Sequence, residues 1–225
     1  MMNHQHHGQH ESNKDNEIYV DVTYEDGKLS IQLTNQSGDA PVLDTTHEKI
    51  MHLVVISSDL NTYYHLHPEA KGNGTYVQTI DLATGEYKIF VDVNPKGLHY
   101  TVKPIGIIVG ESSADDDKHK LVADTNFTKT IEGHTVELMT DPIEVNKEVT
   151  FRFDVKDAKP EPYLGALGHV IITNESVHTF IHVHPLKEND TVFVAEFNEP
   201  GLYKMWAEFK INGQVIAYPF VLDVQ

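Results

Sequence analysis

Cysteine is absent from this chain of 225 residues, and that absence excludes disulfide bonds, thiolate nucleophiles and thiolate metal ligands. Cations are scarce, because 17 Lys and Arg face 34 Asp and Glu, giving a formal net charge of −17 with neutral histidine. Arg152 is the single arginine. This balance opposes binding to a phosphate backbone, so nucleic acid is not an expected partner. The same negative field attracts cations.

Long apolar runs are also lacking, so the sequence predicts no membrane-spanning helix. Residues 1–16 carry His4, His6, His7 and His10 without apolar periodicity, which predicts a disordered histidine-rich leader. This leader is either a solvated tail or a loose metal-capturing arm. Its composition resembles the polar stretch that remains when a secretion signal or lipid-anchor segment is removed. We therefore expect an extracytoplasmic protein (secreted, periplasmic or a cell-surface lipoprotein), with a lipid anchor in the full-length precursor.

A pattern of three histidines appears twice, in MHLVVISSDLNTYYHLHP and in GHVIITNESVHTFIHVHP. The six residues are His52, His65, His67, His169, His182 and His184. The spacing is 13 residues and then 2 residues in both sets, and a proline, Pro68 or Pro185, follows each. A constant offset of 117 residues relates the two sets. The chain is therefore an internal duplication that keeps its histidines in both copies.

Runs of alternating apolar residues separated by turn signals predict strands along the whole chain after residue 17. Examples are IYVDVTY (18–24), EYKIFVDV (86–93) and LYKMWAEF (202–209). We predict an all-β fold of two tandem antiparallel β-sandwich repeats, immunoglobulin-like or cupredoxin-like, with almost no helix. Repeat 1 covers 17–110, an acidic linker covers 111–129, and repeat 2 covers 130–225.

Each histidine set is predicted to lie on one β-hairpin. With two-residue turns at Asp59-Leu60 and Ser176-Val177, His52 lies opposite His67, and His169 lies opposite His184. Residues opposite one another, or two apart on one strand, share a face, so all three histidines of each set project together. A single bulge would break this arrangement.

The two faces of each hairpin differ in composition. One face supplies apolar residues to a core: Leu53, Val55, Tyr64 and Leu66 in repeat 1, and Val170, Ile172, Ile181 and Val183 in repeat 2. The histidine face also carries apolar residues: Val54, Ile56 and Tyr63, or Ile171 and Phe180. A semi-apolar face of this kind is expected to be covered, either by the other sheet of its own sandwich or by the partner repeat.

Three neutral imidazoles on one face, without thiolates, suit Cu(II) or Zn(II), with Ni(II) as a further candidate. Cu(I) is less favoured because its soft ligands would be methionines, and Met51 points to the opposite face. The competing interpretation is structural, with each histidine bonded to a carbonyl or a tyrosine hydroxyl. Five other histidines lack a counterpart in the other copy and are left out: His47, His99, His119, His134 and His178.

Both halves, with the histidine hairpin that ends in His-x-His-Pro, resemble a group of bacterial exported proteins and lipoproteins loosely described as heavy-metal-binding. The resemblance implies export and metal binding through the six repeated histidines, and it implies no defined activity.

We accordingly expect a non-enzymatic metal-binding protein, for copper or else zinc, acting as a buffer, chaperone or sensor module. Its expected partners are the metal ion and another extracytoplasmic metal-handling protein. The alternative is a structural or adhesive β-sandwich pair whose histidines are packing elements or form a pH-responsive interface. An enzyme ranks third, because no serine or carboxylate dyad recurs in the two copies.

Overall fold

The computed structural model describes residues 15–111 and 120–225. Within these ranges all regular elements are β-strands, and no helix there is long and apolar enough to cross a membrane. Residues 1–14 of the predicted leader and residues 112–119 of the predicted linker lie outside the described residues. His119 and the four leader histidines are among them.

Repeat 1 folds into two four-stranded antiparallel sheets with strand orders β1-β2-β7-β6 and β10-β8-β4-β5, together with a short β3-β9 ladder. Its strands are β1 (Ile18–Glu25), β2 (Lys28–Asn35), β3 (Leu43–Asp44), β4 (His52–Ser57), β5 (Tyr63–Leu66), β6 (Glu69–Gly72), β7 (Thr75–Thr79), β8 (Gly85–Asp92), β9 (Asn94–Pro95) and β10 (Ile105–Val109). The first sheet is the outer sheet of this repeat and the second is its inner sheet.

Repeat 2 has an outer sheet of order β11-β12-β13-β16 and an inner sheet of order β15-β14-β17-β18. Its strands are β11 (Thr128–Ile131), β12 (His134–Thr140), β13 (Glu148–Val155), β14 (His169–Asn174), β15 (Ile181–Val183), β16 (Val192–Glu196), β17 (Gly201–Ile211) and β18 (Gln214–Val224). The order β15-β14-β17-β18 corresponds to β5-β4-β8-β10. The predicted pair of antiparallel β-sandwich repeats is therefore confirmed. β11 begins two residues before the predicted start of repeat 2.

Each sandwich has its own core, formed by alternate residues of its strands because successive side chains point to opposite faces. Leu53 and Val55 of β4 pack against Leu29 and Ile31 of β2. Val170 and Ile172 occupy the same positions in the second core. The core face predicted for each hairpin is thus the observed one.

The opposite faces of the two inner sheets pack against each other. Their shared apolar core, the inter-repeat cluster, consists of Val54, Ile56, Leu60, Phe90, Leu121, Ile171, Val177, Phe180, Trp206 and Val221. The Phe90 and Phe180 rings stack with centroids 4.8 Å apart, and Tyr63 stacks on Trp206 at 4.6 Å. Of the two coverings left open by the sequence, the partner repeat is the observed one. Strand β4 is buried on both faces, which explains its nearly continuous apolar run.

The predicted two-residue turns are wrong, although the predicted register holds. Leu60 N donates to Ser57 O at 2.9 Å and Ser57 N donates to Thr62 O at 3.0 Å, so a four-residue loop closes the first hairpin. Val177 N donates to Asn174 O at 2.9 Å at the corresponding place. Leu60 and Val177 are buried with φ of 61° and 54°. Their apolar side chains enter the inter-repeat cluster, and this packing compensates for an unfavourable backbone conformation.

Gly168 allows β14 to begin close to β17. A Cβ atom there would lie 2.8 Å from the backbone oxygen of Glu208 and 2.6 Å from the Phe209 ring. We expect Gly168→Ala to lower the free energy of unfolding by about 1–3 kcal/mol, because the β17 backbone must shift to accept the methyl group. Urea unfolding of both proteins measures the difference. Gly133 is exposed, and a Cβ atom there would have nothing within 4 Å. Its φ is 81°, a backbone conformation that asparagine tolerates, so Gly133→Asn is a suitable control. Equal stability of Gly168→Ala and the parent would contradict the assigned close contact.

Candidate metal centre between the repeats

Strand register places the histidines of each hairpin on the face that meets the other repeat. In repeat 1, Val54 pairs with His65 and Leu53 with Leu66. In repeat 2, Ile171 pairs with His182 and Val170 with Val183. These registers are the ones that the sequence predicts, so the histidines alternate with the core residues and point across the interface.

All six sequence-predicted histidines converge in one place, which we call the histidine cluster. The ring centroids of His65 and His182, which occupy equivalent positions in the two repeats, are 5.2 Å apart. The His52 ring lies 5.1 Å from His182, and the His65 ring lies 6.0 Å from His169. His184 lies 4.3 Å from His182. The repeats are thus related by a pseudo-twofold axis that passes near His65 and His182.

A tight turn just before each inner sheet determines which nitrogen of His52 and His169 carries the proton. His52 Nε2 lies 3.1 Å from the carbonyl oxygen of Thr46, and His169 Nε2 lies 2.9 Å from that of Tyr163. Since a carbonyl oxygen only accepts, Nε2–H is the donor in both rings. The lone pair of each neutral imidazole is therefore on Nδ1, the nitrogen that points into the cluster.

The proton positions of His65 and His182 are determined by carboxylates of the opposite repeat. His65 Nδ1 donates to Glu208 Oε2 at 2.8 Å, and His182 Nδ1 donates to Asp92 Oδ2 at 2.8 Å. Glu208 also accepts a hydrogen bond from the Tyr63 hydroxyl at 3.1 Å. Each neutral ring is thereby left with a lone pair on Nε2, which faces the other histidines.

Several of these inward-facing nitrogens are buried and have no hydrogen-bond partner in the part of the chain that the structure describes. They are His169 Nδ1, His182 Nε2 and His184 Nε2. In repeat 1, His52 Nδ1 lies 3.0 Å from His65 Nε2 and 3.2 Å from His67 Nε2. When both rings are neutral, the hydrogen bonds described above put a lone pair on both His52 Nδ1 and His65 Nε2. Two buried lone pairs that face each other are unfavourable unless a proton or another cation lies between them.

Two groups of three histidines bring their ligand atoms within 4.8 Å of one another among the described residues. The first triad is His52, His65 and His182, and the second is His169, His182 and His184. His182 belongs to both triads. The first triad draws on both repeats, whereas the second comes from repeat 2 alone. His67 contacts the cluster through His52.

Burial lowers the pKa of most histidines in the cluster. It lowers the pKa of His52 and His169 to about 4 and that of His67 to about 3. The pKa values of His182 and His184 are far below the usual value, again because of burial and, secondly, because other histidines lie nearby. These rings are therefore neutral at neutral pH, which is the state that binds metal ions.

Three residues of the site were missed by sequence reasoning. The His47 ring stacks on His184 with centroids 3.3 Å apart, and its backbone φ of 49° places it in the tight turn before β4. Asp92 and Glu208 are the carboxylates described above. A signal for the carboxylates was present, since each is an acidic residue inside an apolar strand end, VDV (91–93) or AEF (207–209). His47 gave no such signal because Leu164 occupies its place in repeat 2.

The remaining described histidines lie away from the cluster. His178 is exposed at the tip of the second hairpin, where its Nδ1 lies 2.7 Å from Ser176 O. His134 lies 3.4 Å from the Asn212 side chain, and His99 lies near Thr101. Their exclusion from the predicted site agrees with these positions.

The duplication is also visible in a comparison with protein families. One family model, described as a domain of unknown function (DUF8832), matches residues 15–106 and 129–225. The chain belongs to the DUF8832 family. Its description names no ligand or activity, and no curated protein matches the chain. The resemblance to heavy-metal-binding proteins therefore remains a prediction for this DUF8832 protein.

Solved structures that are similar to the DUF8832 chain match it at low identity. A two-domain fibronectin type-III segment of chicken tenascin is 12% identical over 93% of this chain and 99% of its own length, with a TM-score of 0.28. A Salmonella alpha-2-macroglobulin mutant is 12% identical over 92% of this chain and 15% of its own, with a TM-score of 0.30. The BSP domain of a biofilm-associated protein is 15% identical over 92% of this chain and 30% of its own length, with a TM-score of 0.25. TM-scores this low carry no argument about function.

Proposed function

We propose that this DUF8832 protein is a non-enzymatic, extracytoplasmic metal-binding protein that holds one Cu(II) or Zn(II) ion between its two repeats. In that role it would act as a metal buffer, chaperone or sensor module. The observation that carries the proposal is that the triad spanning both repeats and the second triad share His182, and that the three nitrogens of the second triad are buried without hydrogen-bond partners among the described residues. The proposed location rests on the composition of the leader and on the resemblance to exported proteins.

The distances within the cluster support a metal ion. Nitrogens bound at about 2.0–2.1 Å to one ion are about 3–4 Å from one another. His52 Nδ1 lies 3.0 Å from His65 Nε2, and the ligand atoms of each triad lie within 4.8 Å of one another. Small rotations of the imidazoles would thus complete a coordination shell. The hydrogen bonds on the far side of His52, His65, His169 and His182 already orient the four rings as outer-shell partners of a metal site do.

One ion per chain is expected rather than two. His182 belongs to both triads, and its single free nitrogen can bind only one ion at a time. Two dications about 5 Å apart would also repel each other by about 13 kcal/mol at an effective dielectric constant of 20. All the candidate ligands are neutral imidazoles, so no negative charge in the first coordination shell offsets that repulsion.

Copper(II) is the favoured ion among divalent metals. An imidazole site without thiolates binds Cu(II) more tightly than Zn(II) in the usual affinity order, unless its geometry opposes copper. Both ions can use three or four imidazole nitrogens, so the comparison of their affinities is part of the test. The net charge of −17 favours the approach of either cation.

The test is a titration of the protein lacking residues 1–16 with Cu(II) and, separately, with Zn(II). Trp206, the only tryptophan of the chain, lies in the inter-repeat cluster, two residues before Glu208. We expect Cu(II) to quench its fluorescence with an end point at one ion per chain, and native mass spectrometry to show the same stoichiometry for Zn(II). Deleting the leader removes four histidines that would bind metal by themselves. Absence of binding would leave the histidines as structural residues.

A structural pair of β-sandwiches is the second candidate, and the inter-repeat cluster favours it. Each fully buried Val, Ile or Phe contributes about 1.5–3 kcal/mol, so the interface holds the repeats together without an ion. The histidines would then be packing residues of the interface, and the His65–Glu208 and His182–Asp92 hydrogen bonds would join the two repeats. Unchanged thermal stability in the presence of saturating Cu(II) or Zn(II) would support this candidate, because an ion that binds only the folded protein must raise its stability.

A further inference from the structure

Asp92 and Glu208 occupy equivalent positions in the two repeats. Asp92 pairs with His52 across β8 and β4, and Glu208 pairs with His169 across β17 and β14. Each is thus the strand neighbour of a histidine in its own repeat. The carboxylates also reach across the interface, where Asp92 accepts a hydrogen bond from His182 and Glu208 accepts one from His65. The two pairs cross the pseudo-twofold axis in opposite directions.

We propose that Asp92 and Glu208 are positioning residues that act across the repeat boundary, each preparing the metal-binding nitrogen of the other repeat's histidine. This inference rests on the proposed function. A carboxylate that accepts from Nδ1–H fixes the ring orientation and leaves Nε2 unprotonated and more basic. Without that acceptor, either nitrogen of the neutral ring can carry the proton. The carboxylate therefore determines whether a lone pair points into the cluster.

The two carboxylates differ in their surroundings, so their loss should have unequal effects. The Glu208 side chain is 6% exposed and the Asp92 side chain 30% exposed. Glu208 also accepts from the Tyr63 hydroxyl, so its removal leaves two buried donors without an acceptor, which is costly. We expect the larger loss of folding stability from Glu208 substitution.

The crossed arrangement couples metal retention to the contact between the repeats. Any movement that separates the inner sheets lengthens the His65–Glu208 and His182–Asp92 bonds together, since each bond spans the interface. Both rings then lose their fixed orientation at the same moment. Bound metal and repeat association should consequently stabilise each other reciprocally, as linked equilibria require.

The experiment compares Asp92→Ala, Asp92→Asn, Glu208→Ala and Glu208→Gln in the protein lacking residues 1–16. Asp81→Asn and Glu196→Gln, at exposed positions, are matched controls. The alanine variants should lose about 10- to 100-fold in Zn(II) affinity, the range seen for outer-shell partners of metal ligands. The amide variants should lose less, since their carbonyl oxygen can still accept from Nδ1–H, and the controls should bind like the parent.

A second measurement, on the metal-free protein, reads the tautomers directly through the ¹⁵N resonances of the imidazole rings. Asp92→Ala should remove the Nδ1–H signature of His182 in repeat 2 and leave that of His65, and Glu208→Ala should do the reverse. This crossed pattern is expected even if the parent binds no metal, in which case only the proposed function fails. A ¹⁵N change confined to a histidine of the same repeat as the substituted carboxylate would overturn the inference. If the parent binds metal, unchanged metal affinity in both alanine variants would also overturn it.

Discussion

Replacing His182 with alanine is expected to lower the affinity for Cu(II) and Zn(II) by at least about 100-fold, the upper end of what outer-shell changes cause. His182 is the one histidine that belongs to both triads, so its loss leaves neither triad complete. Its Nε2 is buried without a hydrogen-bond partner among the described residues, and its Nδ1 bonds to Asp92 of the other repeat. Competition titrations with a chelator of known affinity measure the change.

The matched control for this variant is His178→Ala, which removes an exposed histidine from the same hairpin. Its side chain bonds to the nearby Ser176 carbonyl and faces away from the cluster, so its metal affinity should equal that of the parent. His184→Ala should weaken binding less than His182→Ala, because it leaves the second triad with two ligands while the first triad stays intact. Equal losses for His178→Ala and His182→Ala would place the ion outside the proposed centre.

The fold and the face of each histidine were predictable because they depend on local periodicity. Side chains alternate along a strand, so the spacing of 13 and then 2 residues fixes a common face once the hairpin register is known. The predicted register is correct although the predicted turn is wrong, because the loop from residue 58 to residue 61 keeps Ser57 opposite Thr62. The constant offset of 117 residues then transferred the same result to repeat 2.

The covering of the histidine face could not be decided from the pattern. Val54, Ile56, Ile171 and Phe180 show only that the face is semi-apolar, and a sandwich offers two partners for such a face. The choice depends on the whole shape of both inner sheets. The structure resolves it through contacts between distant residues, such as the stacking of Phe90 on Phe180.

The carboxylates and His47 were missed for different physical reasons. Asp92 and Glu208 serve the opposite repeat, so their partners His182 and His65 lie 90 and 143 residues away in the chain. No spacing rule within one repeat could have paired them. His47 stacks on His184 from a turn residue with positive φ, and the equivalent turn residue of repeat 2 is Leu164, so the duplication gave no indication of it.

Acidification of the metal-free protein is expected to weaken the folded state steeply below about pH 6.5. Burial lowers the pKa of His52 and His169 from 6.5 to about 4, although Asp92 and Glu208 act in the opposite direction. Between these values the unfolded chain takes up protons that the folded chain refuses, so the free energy of unfolding falls as pH falls. Each histidine contributes up to about 1.4 kcal/mol per pH unit, and these two together up to about 2.7 kcal/mol per pH unit once the pH is well below 6.5.

Urea unfolding of the protein lacking residues 1–16, at several pH values between about 6.5 and 5, measures this slope, because few carboxylates titrate there. The double variant His52→Asn and His169→Asn keeps an amide donor for the carbonyls of Thr46 and Tyr163 but cannot be protonated. Its slope should be smaller by about 2 kcal/mol per pH unit on average over this range. His178→Gln, at an exposed position, should keep the full slope. A free energy of unfolding that stays constant over this range would show that the folded cluster accepts protons as readily as the unfolded chain. The interface would then be open to water instead of buried between the repeats.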